Sequence, residues 1–167
     1  MNITFAIMNQ SIDTMVNTLI LKRTNSNDPD FKWLVVLLDR DLDKINGDLM
    51  LVYNEHNLLD FIETVVIAYI DGAPAGCGCF KIFNNDTAEV KRMFVTENQR
   101  CKGIASAILK ELEMWAKEIG YTYTILETGK LHKEALSLYE RFGYVVTENY
   151  DPYIGMEESV CMRKEIA

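Results

Sequence analysis

Arg100-Cys101-Lys102-Gly103-Ile104-Ala105 joins two segments of different periodicity, and that junction restricts the fold more than any other part of the chain. Before it, Ala88 to Val95 is an apolar-rich run of strand character. After it, Ile104, Ile108, Leu112, Trp115, Ala116 and Ile119 recur at helical spacing up to Gly120. A strand, a short loop with one glycine and a helix start leave the first helical N–H groups without internal partners. The helix dipole adds roughly half a positive charge at the same end. Such a junction is a cradle for phosphate. Gly103 lets a ligand approach the backbone with no Cβ in the way.

The remaining chain punctuates clearly. Thr18 to Arg23 reads as a strand. Asn25-Ser26-Asn27-Asp28-Pro29 is a turn with Asp28 as helix cap and Pro29 at the first helical position. Phe31, Leu34, Val35, Leu38 and Leu42 then form a helical stripe, ended by Asn46-Gly47. Tyr53 to Asp60 reads as a second, shorter helix. Thr64 to Ile70, the hairpin signal Asp71-Gly72, Ala75 to Phe83, the turn Asn84-Asn85-Asp86 and Ala88 to Val95 make a three-stranded meander. Tyr121 to Glu127 is a strand. Leu131, Ala135, Leu138 and Phe142 form a second stripe closed by Gly143. Tyr144 to Glu148 and Ser159 to Arg163 are the last strands, joined by a loop holding Pro152 and Gly155. Met1 to Met8 alternates weakly and fits a strand or an ordered extension.

The order is β-α-α-β-β-β-α-β-α-β-β, an α+β fold (an α/β mixed sheet) with helices on its faces. Residues 1–17 are read as an extension without an assigned role, and 18–167 as one domain. With 167 residues and 49% hydrophobic content, a packed core is expected. A net charge of −8 argues against nucleic-acid and anionic-membrane partners, which need a basic surface. No apolar run is long enough to span a membrane. Met1 to Val16 lacks the basic start and cleavage site of a secretory signal. Cys77, Cys79, Cys101 and Cys161 show no zinc spacing, and His56 and His132 stand apart, so no metal is expected. The thiols are read as reduced, in a cytoplasmic protein.

Arg100, Gly103 and Ala105 fit the (Arg/Gln)-x-x-Gly-x-(Gly/Ala) pattern of the GNAT superfamily of acetyl-CoA-dependent N-acetyltransferases. The strand Ala-Glu-Val-Lys-Arg-Met-Phe-Val resembles that family's fourth strand. Leu138-Tyr139-Glu140-Arg141-Phe142-Gly143-Tyr144 resembles its Leu-Tyr-x-x-x-Gly-Phe/Tyr helix end, one strand later as required. Leu126 to Gly129 and Tyr153 to Cys161 resemble a bacterial subgroup of undefined substrate. Two departures stand out: Ala105 replaces a second glycine, and His132 replaces an asparagine common near the cofactor.

The resemblance implies a GNAT-like acyl-CoA N-acyltransferase fold with splayed fourth and fifth strands, counted from Thr18. It implies acetyl-CoA as co-substrate and an amine-bearing small molecule or peptide as acceptor. The pyrophosphate of coenzyme A would rest on Arg100, Cys101, Lys102, Gly103, Ile104 and Ala105. The pantetheine arm would pair with Met93, Phe94 and Val95, with the Met93 N–H facing the thioester carbonyl, and His132 would lie near the cofactor. Tyr139 matches the tyrosine placed near the coenzyme sulfur as general acid. Glu89 matches the base of the family's histone acetyltransferases. Residues four apart in a strand share a face, so Glu89 and Met93 are expected to face one cleft unless a bulge intervenes. A carboxylate near ~4.3 is a poor base for an amine near ~10 unless burial raises it.

Glu127, ending the fifth strand, is a second candidate for base or substrate contact. Tyr153, with Tyr150, is a candidate lid. Asp39 and Asp41 are read as solvated helix charges in preference to acceptor contacts. The base is left open among Glu89, Glu127 and a water chain. A homodimer is a further expectation of the resemblance. The competing reading is a non-catalytic acyl-CoA-binding or sensing module on the same fold. A phosphate-binding protein unrelated to coenzyme A is disfavoured by the absence of a Walker loop.

Overall fold

The computed structural model describes residues 2–6, 18–46 and 61–167. The helix expected over Tyr53 to Asp60 lies outside the described residues. The strands are β1 Asn2–Ala6, β2 Thr18–Thr24, β3 Thr64–Ile70, β4 Ala73–Ile82, β5 Thr87–Val95, β6 Tyr123–Gly129, β7 Val145–Val146 and β8 Ser159–Glu165. The helices are α1 Pro29–Asn46, α2 Ile104–Glu118 and α3 Lys133–Arg141. One sheet runs β1-β2-β3-β4-β5-β6-β8-β7. Its pairings are antiparallel except β5–β6, which is parallel because α2 carries the chain back between them. Residues 2–6 join the sheet, as β1 pairs along β2 from Asn2↔Lys22 to Ala6↔Thr18.

The turn chemistry accounts for the element ends. Asp28 caps α1 by accepting from the Asp30 N–H at 3.0 Å, with Pro29 as the first helical residue. Asp71 and Gly72 both hold positive φ, 50° and 83°, as a tight two-residue hairpin requires. The final strands differ most from expectation. Tyr144 to Glu148 shrinks to Val145–Val146, and the fifth strand of the family order shifts to Tyr123–Gly129. Tyr144 leaves the strand because its ring is buried against Tyr139 and its hydroxyl bonds Thr124 at 2.8 Å. Ile119 and Leu131, read as stripe residues, lie outside α2 and α3 and are exposed.

Each sheet face carries its own core. On one, Ile104, Ile108, Leu109, Leu112 and Ala116 of α2 pack with Leu138 and Tyr139 of α3 over Val66, Phe80, Val90 and Leu126. On the other, Phe31, Leu34, Val35 and Leu38 of α1 cover Val65, Ile67, Cys77, Cys79 and Phe94. Burying each large side chain is worth about 1.5–3 kcal/mol. The sheet sits tight under α2 because β4 carries glycine there. A Cβ on Gly76 would come 2.6 Å from the Phe94 carbonyl oxygen and 3.1 Å from Ile108 Cδ1. Gly76→Ala is therefore expected to cost ~1–3 kcal/mol in urea denaturation by overpacking. A wild-type midpoint would show that the β4–β5 spacing yields freely.

Candidate active site

β5 and β6 share only three pairs: Thr87↔Tyr123, Ala88↔Thr124 and Glu89↔Ile125. Past them each strand keeps its outer neighbour, β5 to Gly76↔Val95 and β6 to Gly129↔Ser159. The sheet therefore splits between the end of β5 and the end of β6. At the head of the split the chain turns into α2. Cys101 (φ 61°) and Gly103 (φ 79°) take left-handed conformations, and Gly103 is the helix N-cap. The first intrahelical bond runs from the Ala107 N–H to the Gly103 carbonyl at 3.0 Å, which leaves the Ile104, Ala105 and Ser106 N–H groups outside the helix ladder. An added Cβ on Gly103 meets nothing within 4 Å, so the space over the loop is open. Cys101, Lys102 and Gly103 are exposed, and Ile104 is buried as the first core residue of α2.

A bulge changes which groups face the cleft. Cys77 and Cys79 of β4 pair with Phe94 and Lys91, so β5 carries one extra residue. Arg92 absorbs it with φ 58°. Before the bulge Ala88 and Val90 face α2; after it Met93 and Val95 do, and Phe94 faces α1. Glu89 and Met93 consequently point to opposite faces. The four-residue spacing fails here because the bulge inverts the strand's alternation.

Glu89 is 4% exposed and already occupied. Lys91 Nζ lies 3.3 Å from Oε1, Lys81 Nζ 3.5 Å from Oε2, and the Tyr150 hydroxyl donates to Oε1 at 3.1 Å. Lys91 also donates to the Tyr153 hydroxyl at 3.0 Å. The Tyr150 and Tyr153 rings meet edge-on with centroids 5.5 Å apart, and Tyr153 is buried rather than a surface aromatic. Asn149 Nδ2 reaches the carbonyls of Tyr153 and Met156, each at 3.1 Å. The connection between β7 and β8 is thereby fastened to β5 through Glu89 and Lys91.

Glu127 stands in a different environment. Its neighbour Leu126 faces the α2 core, so Glu127 projects from the opposite face beside the split. Among the described residues its Oε1 is buried without a hydrogen-bond partner. Burial raises its pKa above the ordinary carboxylate value, only partly offset by the Ser159 hydrogen bond and the Lys91 charge. Tyr139 is buried on the α2 side, its ring 5.7 Å from Tyr144. Burial, then the Glu127 charge, push its pKa up, so at neutral pH the phenol keeps its proton. His132 N-caps α3 and packs on Gly129, where an added Cβ would lie 2.9 Å from Cδ2. Burial lowers its pKa, against the charge of Glu134, so it is neutral at pH 7.

Asp39 and Asp41, read from sequence as solvated charges, are paired. Asp39 Oδ1 is 2.8 Å from Arg92 Nη1, and Asp41 Oδ2 is 2.5 Å from Arg100 Nη2. Sequence reasoning gave Lys91, Arg92 and Ser159 no site role, Lys91 and Arg92 being read only as alternative ion-pair partners for Glu89, of which Lys91 is the one that pairs. An arginine in left-handed backbone carries no sequence signal. All four cysteines are free thiols, Cys101 alone exposed. Among the described residues no group of His, Cys, Asp and Glu could hold a metal ion, and no helix is long and apolar enough to cross a membrane.

The chain matches the family model for acetyltransferases of the GNAT family over residues 31–144. It is 31% identical over 140 residues to the IAA acetyltransferase of Azospirillum brasilense, covering 79% of this chain and 90% of that protein. A solved structure from Klebsiella pneumoniae, provisionally described as an acyl-CoA N-acyltransferase, superposes with TM-score 0.72 at 25% identity, over 88% of this chain and 97% of that one. A GNAT family acetyltransferase from Elizabethkingia anophelis, solved with acetyl-CoA bound, shares the fold with TM-score 0.63 at 18% identity, over 88% and 97% of the two chains. The protein belongs to the GNAT family of acetyltransferases.

Tyr153→Phe is expected to loosen the β7–β8 connection, because it removes the acceptor for Lys91. Amide hydrogen exchange over residues 150–158 should quicken while α2 exchanges as before. Unchanged exchange there would show that this contact does not fasten the loop.

Proposed function

We propose that the chain is an N-acetyltransferase that moves acetyl from acetyl-CoA to a primary amine by direct attack within a ternary complex. The observation that carries this is the split between β5 and β6, with open helix N–H groups at its head and the unpartnered Glu127 oxygen beside it. The donor supplies an activated acetyl group when bound. Arg100 to Ala105 would hold its pyrophosphate on backbone N–H groups. Met93 to Val95 would offer the strand edge that β6 does not cover.

In this reading Glu127 is the base. An ammonium has no lone pair, so the acceptor must first lose a proton. Glu127 combines a raised pKa with an oxygen free to accept that proton. Glu89 has both oxygens engaged by Lys91, Lys81 and the Tyr150 hydroxyl, and in this reading it serves to anchor the loop. The amine nitrogen then forms a bond to the carbonyl carbon as the carbon–sulfur bond breaks. Tyr139 gives its proton to the departing sulfur, and the remaining excess proton on nitrogen returns to the phenolate through solvent. Cys101 has no adjacent base, which disfavours a covalent acetyl-enzyme.

Two measurements test this. Calorimetry on the wild-type chain should give 1:1 binding of acetyl-CoA, and a panel of polyamines, amino acids, aminoglycosides and peptides should yield coenzyme A release. In turnover with an amine so found, Glu127→Gln should lower kcat by ~10²-fold or more and Tyr139→Phe by ~10-fold or more, with donor affinity retained. Glu89→Gln should instead act on acceptor KM. Full activity of Glu127→Gln would remove it as base.

Glu127 also makes a stability prediction. Its folded pKa is raised, so its contribution is complete below the unfolded carboxylate pKa and is lost as pH rises through the folded value. Glu127→Gln escapes that loss. Relative to wild type it should melt higher at about pH 8 than at about pH 5. The reverse trend would mean that the folded protein favours the ionised carboxylate.

A further inference from the structure

We propose that α1 positions the donor site, with Asp39 acting through Arg92 and Asp41 through Arg100. The inference rests on reading residues 92–105 as that site. Arg92 is held in a left-handed conformation that L residues disfavour, at the bulge that turns Met93 and Val95 toward α2 and Phe94 toward α1. Its side chain is 7% exposed beneath α1, where a cation needs a partner, and Asp39 supplies one at 2.8 Å. The Arg92 carbonyl accepts a weak bond from Cys77 Sγ at 3.5 Å. Eight residues on, Arg100 is half exposed, yet its guanidinium is turned back along the protein. Nη2 meets Asp41, Nε donates to the Val95 carbonyl at 3.1 Å, and the group lies 5.9 Å from the Phe94 ring. Phe94 is itself part of the core beneath α1.

The helix thus grips the segment at its start, middle and end. Between the grips lies the strand edge exposed by the β5–β6 split. Asp39 and Asp41 are two residues apart, roughly 200° around the helix, so the two pairs resist rotation of α1 as well as displacement. Neither acid touches the reacting atoms; both fix where the β5 backbone and the α2 entry lie.

The test is coenzyme A binding by calorimetry on the full chain, with melting temperature measured in parallel. Asp39→Asn and Asp41→Asn should each weaken binding about tenfold. Asp39→Glu should recover most of that loss. Arg92→Gly provides a variant that tolerates the left-handed backbone and leaves no buried charge, so it keeps the fold if Asp39→Asn does not. It too should bind about tenfold more weakly, with its melting temperature near wild type. If the folded variants bind coenzyme A with wild-type affinity, or if their loss of affinity only follows their melting temperature, the positioning role is overturned while the proposed function stands. If the wild-type chain itself does not bind coenzyme A, both fall together.

Discussion

The hydrogen bonds that β5 and β6 do not make determine the rest of this molecule. Three pairs join them, and then each continues alone beside its outer neighbour. Unpaired backbone inside a sheet is costly unless water or a ligand satisfies it. The packing above and below holds the gap open. α2 covers one face, α1 covers the other, and the crossover from β5 through α2 to β6 brings a helix N-terminus to the mouth of the gap. The same constraint explains the bulge at Arg92. Without an extra residue, Phe94 would point at α2 and the cores on both faces would lose their register.

The two carboxylates beside the split show how environment divides roles between chemically similar groups. Glu89 is surrounded by two lysines and a phenol, so its charge is compensated and its oxygens are engaged. Glu127 lies one strand over, with one oxygen buried and unbonded. Burial makes it a stronger base, and the Glu89–Lys91 pair next to it stays intact. In the proposed reaction, loop fastening and proton handling therefore fall to different residues, although both charges help to raise the Cys161 thiol.

Much of this architecture was legible in the sequence because local signals and global fold agree. Asp28-Pro29, Asp71-Gly72 and Gly103 mark α1, the hairpin and α2 where the structure has them. The helical stripes found the core faces, and the cradle followed from the strand-to-helix junction. The strand ends were less legible, since Tyr144 answers to a buried hydroxyl partner rather than to strand propensity. Side-chain facing on β5 depends on a bulge, the exception that the alternation argument allows for and the structure contains. Alternation carries no record of a bulge when an arginine, rather than a glycine, takes the left-handed residue. Asp39 and Asp41 look like ordinary surface acids in sequence, because their partners lie 53 and 59 residues away. Long-range ion pairs leave no periodic trace.

The unpartnered oxygen of Glu127 has a consequence for what happens after chemistry. In the proposed reaction an ammonium ion entering the cleft is attracted to a carboxylate that keeps one buried oxygen without a hydrogen-bond partner. Acetylation turns that cation into a neutral amide. In the proposed reaction the attraction that draws the acceptor in is abolished by the reaction itself, while the proton left on Glu127 discharges the cleft. Substrate and product then differ most at this Glu127 oxygen, so turnover need not wait on a conformational opening. Exit of the product would be driven by lost charge, and re-entry of the product would be disfavoured for the same reason.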